Sequence, residues 1–441
     1  MLTPVMKRTD IKMGVPIASA RFPSPFTSGL EYAAPARGTW NIVHIGMLIP
    51  HAHEIFVCAA GCLRGVVLTA AEMGATDRFS TVSVRENNVL DGDMERLIID
   101  GVSDILRKLP TLPPAVLVYT SCIHQFMGCD LQLVYRELRQ LFPNVAFTDC
   151  YMTPTMRKSG LTPDQTMRKQ LYSLLERQPL RRECINIIGN NAPTDESSEL
   201  VELIRKSGHQ LRDITLCKTY DEYLKLGESG TNISYLPAAC AGGEALARRL
   251  GQKHLYLPLC YGYEEIANNL SALSAYLGID DIDVAQGQAS ADAALASAQK
   301  IIGDTPIAID YTAVPRPLGL ARLLLAHGFH VTRVYADSFI SEEQTDFVWL
   351  QKNWPRLELL PTLQVQMRVL PRTGEEKLLA IGQKAAYFCG TGYFVNIVEG
   401  GGMYGFDGIC KLAEMMIDGF LQKKDTKSLI QIKGLGCGCC V

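Results

Sequence analysis

The sequence predicts an α/β protein built from three doubly wound, Rossmann-like domains with parallel sheets. Short apolar runs recur along the chain, each followed by a turn and then by a stretch long enough for a helix. The same order starts afresh near residues 184 and 304. Strands of a parallel sheet are buried on both faces and joined by helices, so this order of elements is typical of the class. The predicted domains are residues 1–183, 184–303 and 304–441.

The first predicted domain begins with an arm. Residues 1–40 contain five prolines and little periodicity, which indicates an extended segment packed on the body of the protein or on a partner. Strands are predicted at 54–57, 114–119 and 144–148, and helices at 63–73, 91–100, 131–142 and, for the most part, 158–176. The polar residues 85–88 are predicted as a loop. Acidic side chains open the helix at 91–100, where the helix dipole favours them.

The second and third domains repeat the pattern. Strands are predicted at 185–188, 232–236 and 254–258 in the second domain, and at 306–310 and 329–334 in the third. Helices are predicted at 197–207, 289–302, 318–327 and 406–421. Gly208, Gly303 and Gly328 end three of these helices, because glycine accepts the left-handed conformation that closes a helix.

Composition narrows the class of protein. The 441 residues are 47% hydrophobic, enough to bury a large core, and the net charge of −3 does not favour binding to nucleic acid or to an anionic membrane. The chain starts without a secretory h-region and has no apolar run of about 18 residues that could span a membrane. We therefore expect a soluble cytoplasmic protein, in which the 14 cysteines are buried thiols or metal ligands and not disulfides.

Two pairs of cysteines stand out because each pair follows a predicted strand. Cys58 and Cys62 come after the strand at 54–57, and Cys122 and Cys129 come after the strand at 114–119. Ligands collect at the carboxyl ends of parallel strands, and thiolates there suit a soft metal. Iron–sulfur clusters are held by cysteine thiolates. The sequence thus predicts an iron–sulfur site at the strand ends of the first domain, with these four cysteines as candidate ligands.

Each candidate also has a structural interpretation. Free cysteines are among the most buried residues, so all four could simply fill the core. His51 and His53 precede the first pair and favour surface or supporting roles, whereas His124 either donates a hydrogen bond to a cluster sulfur or is a satisfied polar histidine. Cys240, Cys260 and Cys389 are predicted to follow strands, where they line a pocket or fill tight strand ends. The role of the tail thiols Cys437, Cys439 and Cys440 stays open.

Four landmarks taken in order resemble one known family. The first is Gly61-Cys62, followed by a helix and by residues 90–93 ahead of another helix. The second is Ser121-Cys122, followed by Gly128 and Asp130. Residues 186–189 start the second domain, and residues 403–408 form a turn before the last helix. This set resembles the nitrogenase component 1 family, which includes nitrogenase molybdenum–iron protein subunits, cofactor-assembly scaffolds, protochlorophyllide reductase catalytic subunits and methylthio-alkane reductase.

The chain departs from the family pattern at three places. Leu30 stands in residues 29–33 where the family usually has a further cluster cysteine. Residues 390–402 contain no histidine, whereas the nitrogenase catalytic subunit presents one to its cofactor there. Cys240 is offset from the position of the cysteine at the other end of that cofactor. A reductase with a substrate other than dinitrogen, or a subunit without that cofactor, fits better.

The resemblance implies a function. An ATP-dependent iron protein would deliver electrons through an iron–sulfur cluster, either [4Fe–4S] or P-cluster-like, to a small reducible substrate. A second iron–sulfur-based cofactor is a further expectation. The chain would form an oligomer with a like or a related subunit. The alternative is a scaffold that assembles or carries a metallocluster without turnover.

Overall fold

Parallel strands alternate with helices through nearly all of the protein. The structure, a computed structural model, describes residues 13–27, 29, 31, 41–153, 160–280, 283–368 and 377–426. The strands in these residues are β1 (Val15–Pro16), β2 (His53–Ala59), β3 (Phe79–Val84), β4 (Ala115–Ser121), β5 (Ala146–Met152), β6 (Arg181–Ile187), β7 (Gln210–Asp213), β8 (Ser229–Ser234), β9 (Lys253–Tyr256), β10 (Ile307–Asp310), β11 (Val331–Tyr335), β12 (Glu358–Leu360), β13 (Leu379–Ile381) and β14 (Phe394–Val395).

The helices join successive strands. In the same residues they are α1 (Ile42–Gly46), α2 (Ala60–Glu72), α3 (Glu86–Asp91), α4 (Met94–Lys108), α5 (Cys122–Phe126), α6 (Leu131–Leu141), α7 (Pro163–Gln170), α8 (Glu199–Lys206), α9 (Tyr220–Leu224), α10 (Cys240–Leu250), α11 (Tyr263–Leu277), α12 (Val284–Ile302), α13 (Pro317–Ala326), α14 (Gln344–Asn353), α15 (Gln383–Cys389) and α16 (Gly405–Leu421). Within the described residues, no helix combines the length and the apolar character that crossing a membrane requires.

The strands form three sheets in the described part of the chain. Their orders are β3-β2-β4-β5, β7-β6-β8-β9 and β1-β12-β11-β10-β13-β14. Neighbouring strands are parallel, apart from the antiparallel pair of β1 and β12. The predicted α/β class with parallel sheets is confirmed.

The internal contacts divide the chain into two compact units. One contains residues 40–193 and 208–258 and carries the two four-stranded sheets. The other contains residues 194–207 and 259–441 together with the N-terminal segment up to residue 39, and carries the six-stranded sheet. The three-domain division at residues 183/184 and 303/304 stays a prediction. Val15 of the predicted arm pairs with Leu359, so this part of the arm lies on the edge of the six-stranded sheet.

Apolar side chains cover both faces of the first sheet. Alternate residues of a strand point to opposite faces. Phe56, Cys58 and Tyr119 accordingly pack in one cluster with α2 and α7, while Val57 and Val118 pack in another with α4 and α6. The strands of this sheet are thus buried on both sides, as a parallel sheet requires.

Two local predictions were wrong. Residues 86–88, predicted as loop, belong to α3, because the Asn88 side chain accepts the Arg85 N–H at 2.9 Å and closes the first turn. Cys389, predicted to follow a strand, ends helix α15. The Asp310 carboxylate accepts the N–H of Ala385 at 2.7 Å, which supports the first turn of that helix.

Candidate metal centre

The first sheet places β2 and β4 side by side at its topological switch point. From β2 the chain passes to β3 on one side and then crosses to β4 on the other. The loops that leave two such strands diverge, and the crevice between their carboxyl ends is where open α/β sheets bind ligands. Of the two predicted pairs of cysteines, Cys58 lies within β2, Cys62 follows β2, and Cys122 and Cys129 follow β4.

Cys58 and Cys62 lie on either side of the junction between β2 and α2. Cys58 is the penultimate residue of β2 and is fully buried, whereas Cys62 is the third residue of α2 and is exposed. Gly61 has no atom within 4 Å of the point where a Cβ would lie, so the backbone beside Cys62 is open. One thiol therefore faces the core and the other faces the surface at the same strand end.

Cys122 is the first residue of α5, directly after β4. The helix begins there because Ser121 donates its backbone N–H to Nδ1 of His124 at 3.2 Å, which closes the first turn. Cys122 is half-buried. The two strands are in register with Val57 opposite Thr120, which puts Cys58 level with Ser121 and next to Cys122.

The thiols of Cys62 and Cys122 lie within electrostatic range of Cys58. The pKa of Cys58 is raised to about 12, first by burial and then by the neighbouring thiols of Cys62 and Cys122. At neutral pH the free Cys58 side chain is therefore a neutral thiol. A metal that takes Cys58 as a thiolate ligand must displace this proton, so metal binding there is coupled to pH.

Cys129 has different neighbours. It packs with the apolar cluster on the opposite face of the sheet, the face covered by α4 and α6. The pKa of Cys129 is raised to about 12, first by burial and then by the charge of Glu95 and a hydrogen bond with Glu95. Cys58 is thus within electrostatic range of Cys62 and Cys122, whereas Cys129 lies beside a carboxylate.

The three candidate histidines have separate roles. His51 is exposed, and His53 is buried with Nε2 2.8 Å from the Ser80 hydroxyl. Burial, followed by the charge of Arg78, lowers the pKa of His53 to about 4. His124 is buried, and its Nδ1 lies 3.2 Å from the Ser121 backbone nitrogen and 3.3 Å from the Ser121 carbonyl oxygen. Among the described residues, the Nε2 of His124 has no hydrogen-bond partner.

This donor set suits a thiolate-bound group of several atoms. Within the residues that the structure describes, no three Cys, His, Asp or Glu side chains are arranged as ligands of one metal ion. Three thiols at the ends of two neighbouring strands, an open glycine and an unpartnered buried histidine nitrogen fit an iron–sulfur cluster, whose sulfurs accept hydrogen bonds. Leu30 and the tail thiols Cys437, Cys439 and Cys440 lie outside the described residues.

A second polar group at strand ends was missed by the sequence reasoning. In the six-stranded sheet, β10 is the switch-point strand, with β11 on one side and β13 on the other. Asp310 ends β10 and is fully buried, and this burial raises its pKa. Lys384, also buried, donates to the Tyr311 hydroxyl at 2.7 Å and lies 4.4 Å from the centre of its ring. The signal was the polar Asp310-Tyr311-Thr312 directly after an apolar run.

Comparison with known proteins agrees with this architecture. The family model for nitrogenase component 1 type oxidoreductases matches residues 43–369. A structure of nitrogenase Cp1 at pH 6.5 is 14% identical, with a TM-score of 0.68 over 90% of this chain and 94% of that chain. A second, at pH 5, is also 14% identical, with a TM-score of 0.57 over 90% of each chain. No curated protein sequence matches this chain.

Proposed function

The chain belongs to the family of nitrogenase component 1 type oxidoreductases, and we propose that it is a nitrogenase-like reductase subunit whose Cys58, Cys62 and Cys122 hold an iron–sulfur cluster. An ATP-dependent iron protein is its electron donor, and a small molecule is its substrate. The cytoplasm is the expected location. The cluster is [4Fe–4S] or P-cluster-like.

The observation that carries this proposal is the convergence of three thiols at the switch point of the first sheet. The charge coupling of Cys58 to both Cys62 and Cys122 supports a shared site. Bound there, an iron–sulfur cluster supplies one-electron transfer. The protein would hold it through thiolates of different exposure, and the unpartnered Nε2 of His124 would donate a hydrogen bond to sulfur.

Exposed apolar side chains on the same helices support a partner subunit. Leu68 of α2 is 48% exposed, Phe126 of α5 is 75% exposed, and Leu90 of α3 is 82% exposed. Exposed apolar patches are typical of protein–protein contacts. We propose that a like or related subunit, or the iron protein, covers them.

The substrate site is proposed to involve the carboxyl edge of the six-stranded sheet. Tyr311 and Lys384 lie where open α/β sheets bind ligands. With no histidine in residues 390–402, a substrate other than dinitrogen is favoured. A second iron–sulfur-based cofactor belongs to the same proposal.

A scaffold for assembling or carrying a metallocluster is the alternative. The exposure of Cys62 favours it, because an exposed ligand can be exchanged with another protein. In that case the same thiols would release the cluster to a partner without turnover.

Anaerobic purification tests the proposal. Protein reconstituted with iron and sulfide should be brown and contain both elements. The iron protein and ATP should then reduce the bound cluster repeatedly without loss of iron. Loss of the cluster to an acceptor protein would support the scaffold, and colourless, iron-free protein would contradict both functions.

A further inference from the structure

Glu54 is an acid buried in the core beneath the thiol site. It lies on β2, its side chain is fully buried, and it shares a strand face with Phe56 and Cys58. A carboxyl group is seldom fully buried without a cation bonded to it. Inferring a role for Glu54 rests on the proposed function, because it concerns the charge held by Cys58, Cys62 and Cys122.

The residues around Glu54 leave space for its side chain and contact it closely. Oε1 accepts a hydrogen bond from the Tyr119 hydroxyl at 3.2 Å, while Oε2 has no partner among the described residues. A Cβ at Gly46 would collide with both Glu54 Oε1 and the Tyr119 hydroxyl. The glycine of α1 thus leaves the space that the acid and the phenol occupy.

Few charges act on Glu54. Arg78, in the turn before β3, is within electrostatic range, but its guanidinium donates to the backbone carbonyls of Ala52, Met47 and Ile49. Cys150 of β5 is also in range, and its own pKa is raised well above the usual value, first by burial. Burial is likewise the largest effect on Glu54 and raises its pKa well above the usual range. Burial therefore favours the neutral form of the acid.

Buried aromatic side chains lie between Glu54 and the thiols. Four residues of strand place its Cα about 13 Å from that of Cys58. Phe56 lies between them, and its ring stacks on Tyr119 at 4.0 Å, with both side chains buried. Charges interact more strongly across such a core than through water. A change of charge at the thiol site is therefore felt at Glu54.

We propose that Glu54 is a redox-linked proton site, which gains a proton when an electron reaches the site of Cys58, Cys62 and Cys122. The electron comes from the iron protein and the proton from solvent. The Glu54 carboxylate becomes a carboxylic acid, and on oxidation the proton returns to solvent. Below the range in which Glu54 titrates, it stays protonated in both states and no proton moves.

Redox titration of the reconstituted protein from pH 5 to 10 tests this link. In the wild type the midpoint potential should fall as pH rises through the range in which Glu54 titrates, and Glu54→Gln should lose that slope. Tyr119→Phe should move the slope to higher pH, because it removes a donor that favours the ionised acid. Glu95→Gln, which changes a carboxyl beside Cys129 on the other face, should keep the wild-type slope.

Infrared spectra of the metal-free protein give a second readout. In the wild type a band of a protonated carboxyl group should persist to a higher pH than the bands of exposed carboxyl groups, and this band should be absent in Glu54→Gln. Suppose that Glu54→Gln binds the cluster and its midpoint potential keeps the wild-type dependence on pH, or that the infrared spectra of the variant and the wild type are identical. Either result would overturn the inference and leave the proposed function intact. Protein that binds no cluster would overturn the proposed function, and the redox link with it.

Discussion

At the scale of single residues, position in the strand decides what each thiol can do. Cys58 is inside β2, where burial favours its protonated form, while Cys62 and Cys122 lie in the first turns of α2 and α5. Cys129 faces a carboxylate on the other side of the sheet. The same residue type thus has two environments within one sheet.

Substitution of the thiols separates the candidate ligands. Cys58→Ser, Cys62→Ser and Cys122→Ser should each lose most of the iron, because each removes a thiolate at the shared strand end. Cys129→Ser should keep its iron. The half-buried Cys410 of α16 is a matched control. Iron and sulfide analysis of folded, reconstituted protein measures this, and equal losses in all five variants would indicate general misfolding.

The stability of the metal-free protein should depend on Glu54 and pH. The pKa of Glu54 is raised in the folded state, so its stabilising effect is present below the unfolded value near 4.5 and is lost as pH rises towards the folded value. Glu54→Gln removes this dependence. Between these two pKa values, the free energy of unfolding of the variant should rise relative to that of the wild type by about 1.4 kcal/mol for each pH unit.

Thermal unfolding of both proteins from pH 5 to 8 measures this difference. The gap between their melting temperatures should widen with pH in favour of the variant. A constant gap would show that Glu54 titrates normally in the folded protein.

At the scale of elements, close approaches between helices and strands position the site. α1 reaches the acid and the phenol of the first sheet through Gly46, and the Tyr119 hydroxyl lies 3.1 Å from the Ile42 carbonyl. In the six-stranded sheet, Asp310 of β10 supports the start of α15. These contacts join residues that are far apart in the sequence.

Two glycine substitutions test the approach of α1 to the sheet. Gly46→Ala should destabilise the protein by about 1–3 kcal/mol, because its Cβ would meet Glu54 and Tyr119. Gly65→Ala, in α2, has no atom within 4 Å of the new Cβ and should stabilise by about 0.5–1 kcal/mol. Denaturant unfolding of the metal-free variants measures both, and equal effects would contradict the close approach.

At the scale of the whole molecule, the exposed apolar side chains predict an oligomer. Protein from its native cells should have at least twice the mass of one chain by light scattering. Leu68→Lys combined with Phe126→Lys should lower that mass, because charge disfavours burial at a contact. Leu421→Lys, at the similarly exposed end of α16, should not. An unchanged mass in the double variant would place the contact elsewhere.

The sequence alone determined the class of fold and the positions of the buried strands near the candidate cysteines. The apolar runs before Cys58 and Cys122 identify buried parallel strands, since only such strands are apolar on both faces. Glycines after helical stretches mark where helices end, and Gly208, Gly303 and Gly328 do have positive φ. These features depend on short stretches of chain, so local patterns are enough to find them.

Only the tertiary structure decided which side chains meet. Strand order puts β2 beside β4, and register then sets Cys58 beside Cys122 while Cys129 turns to Glu95. Glu54, an ordinary acid in the sequence, is fully buried, and Asp310 and Lys384 come within electrostatic range although 73 residues separate them in sequence. Pairing between distant strands and the burial that follows arise from packing, and no local pattern of residues specifies them.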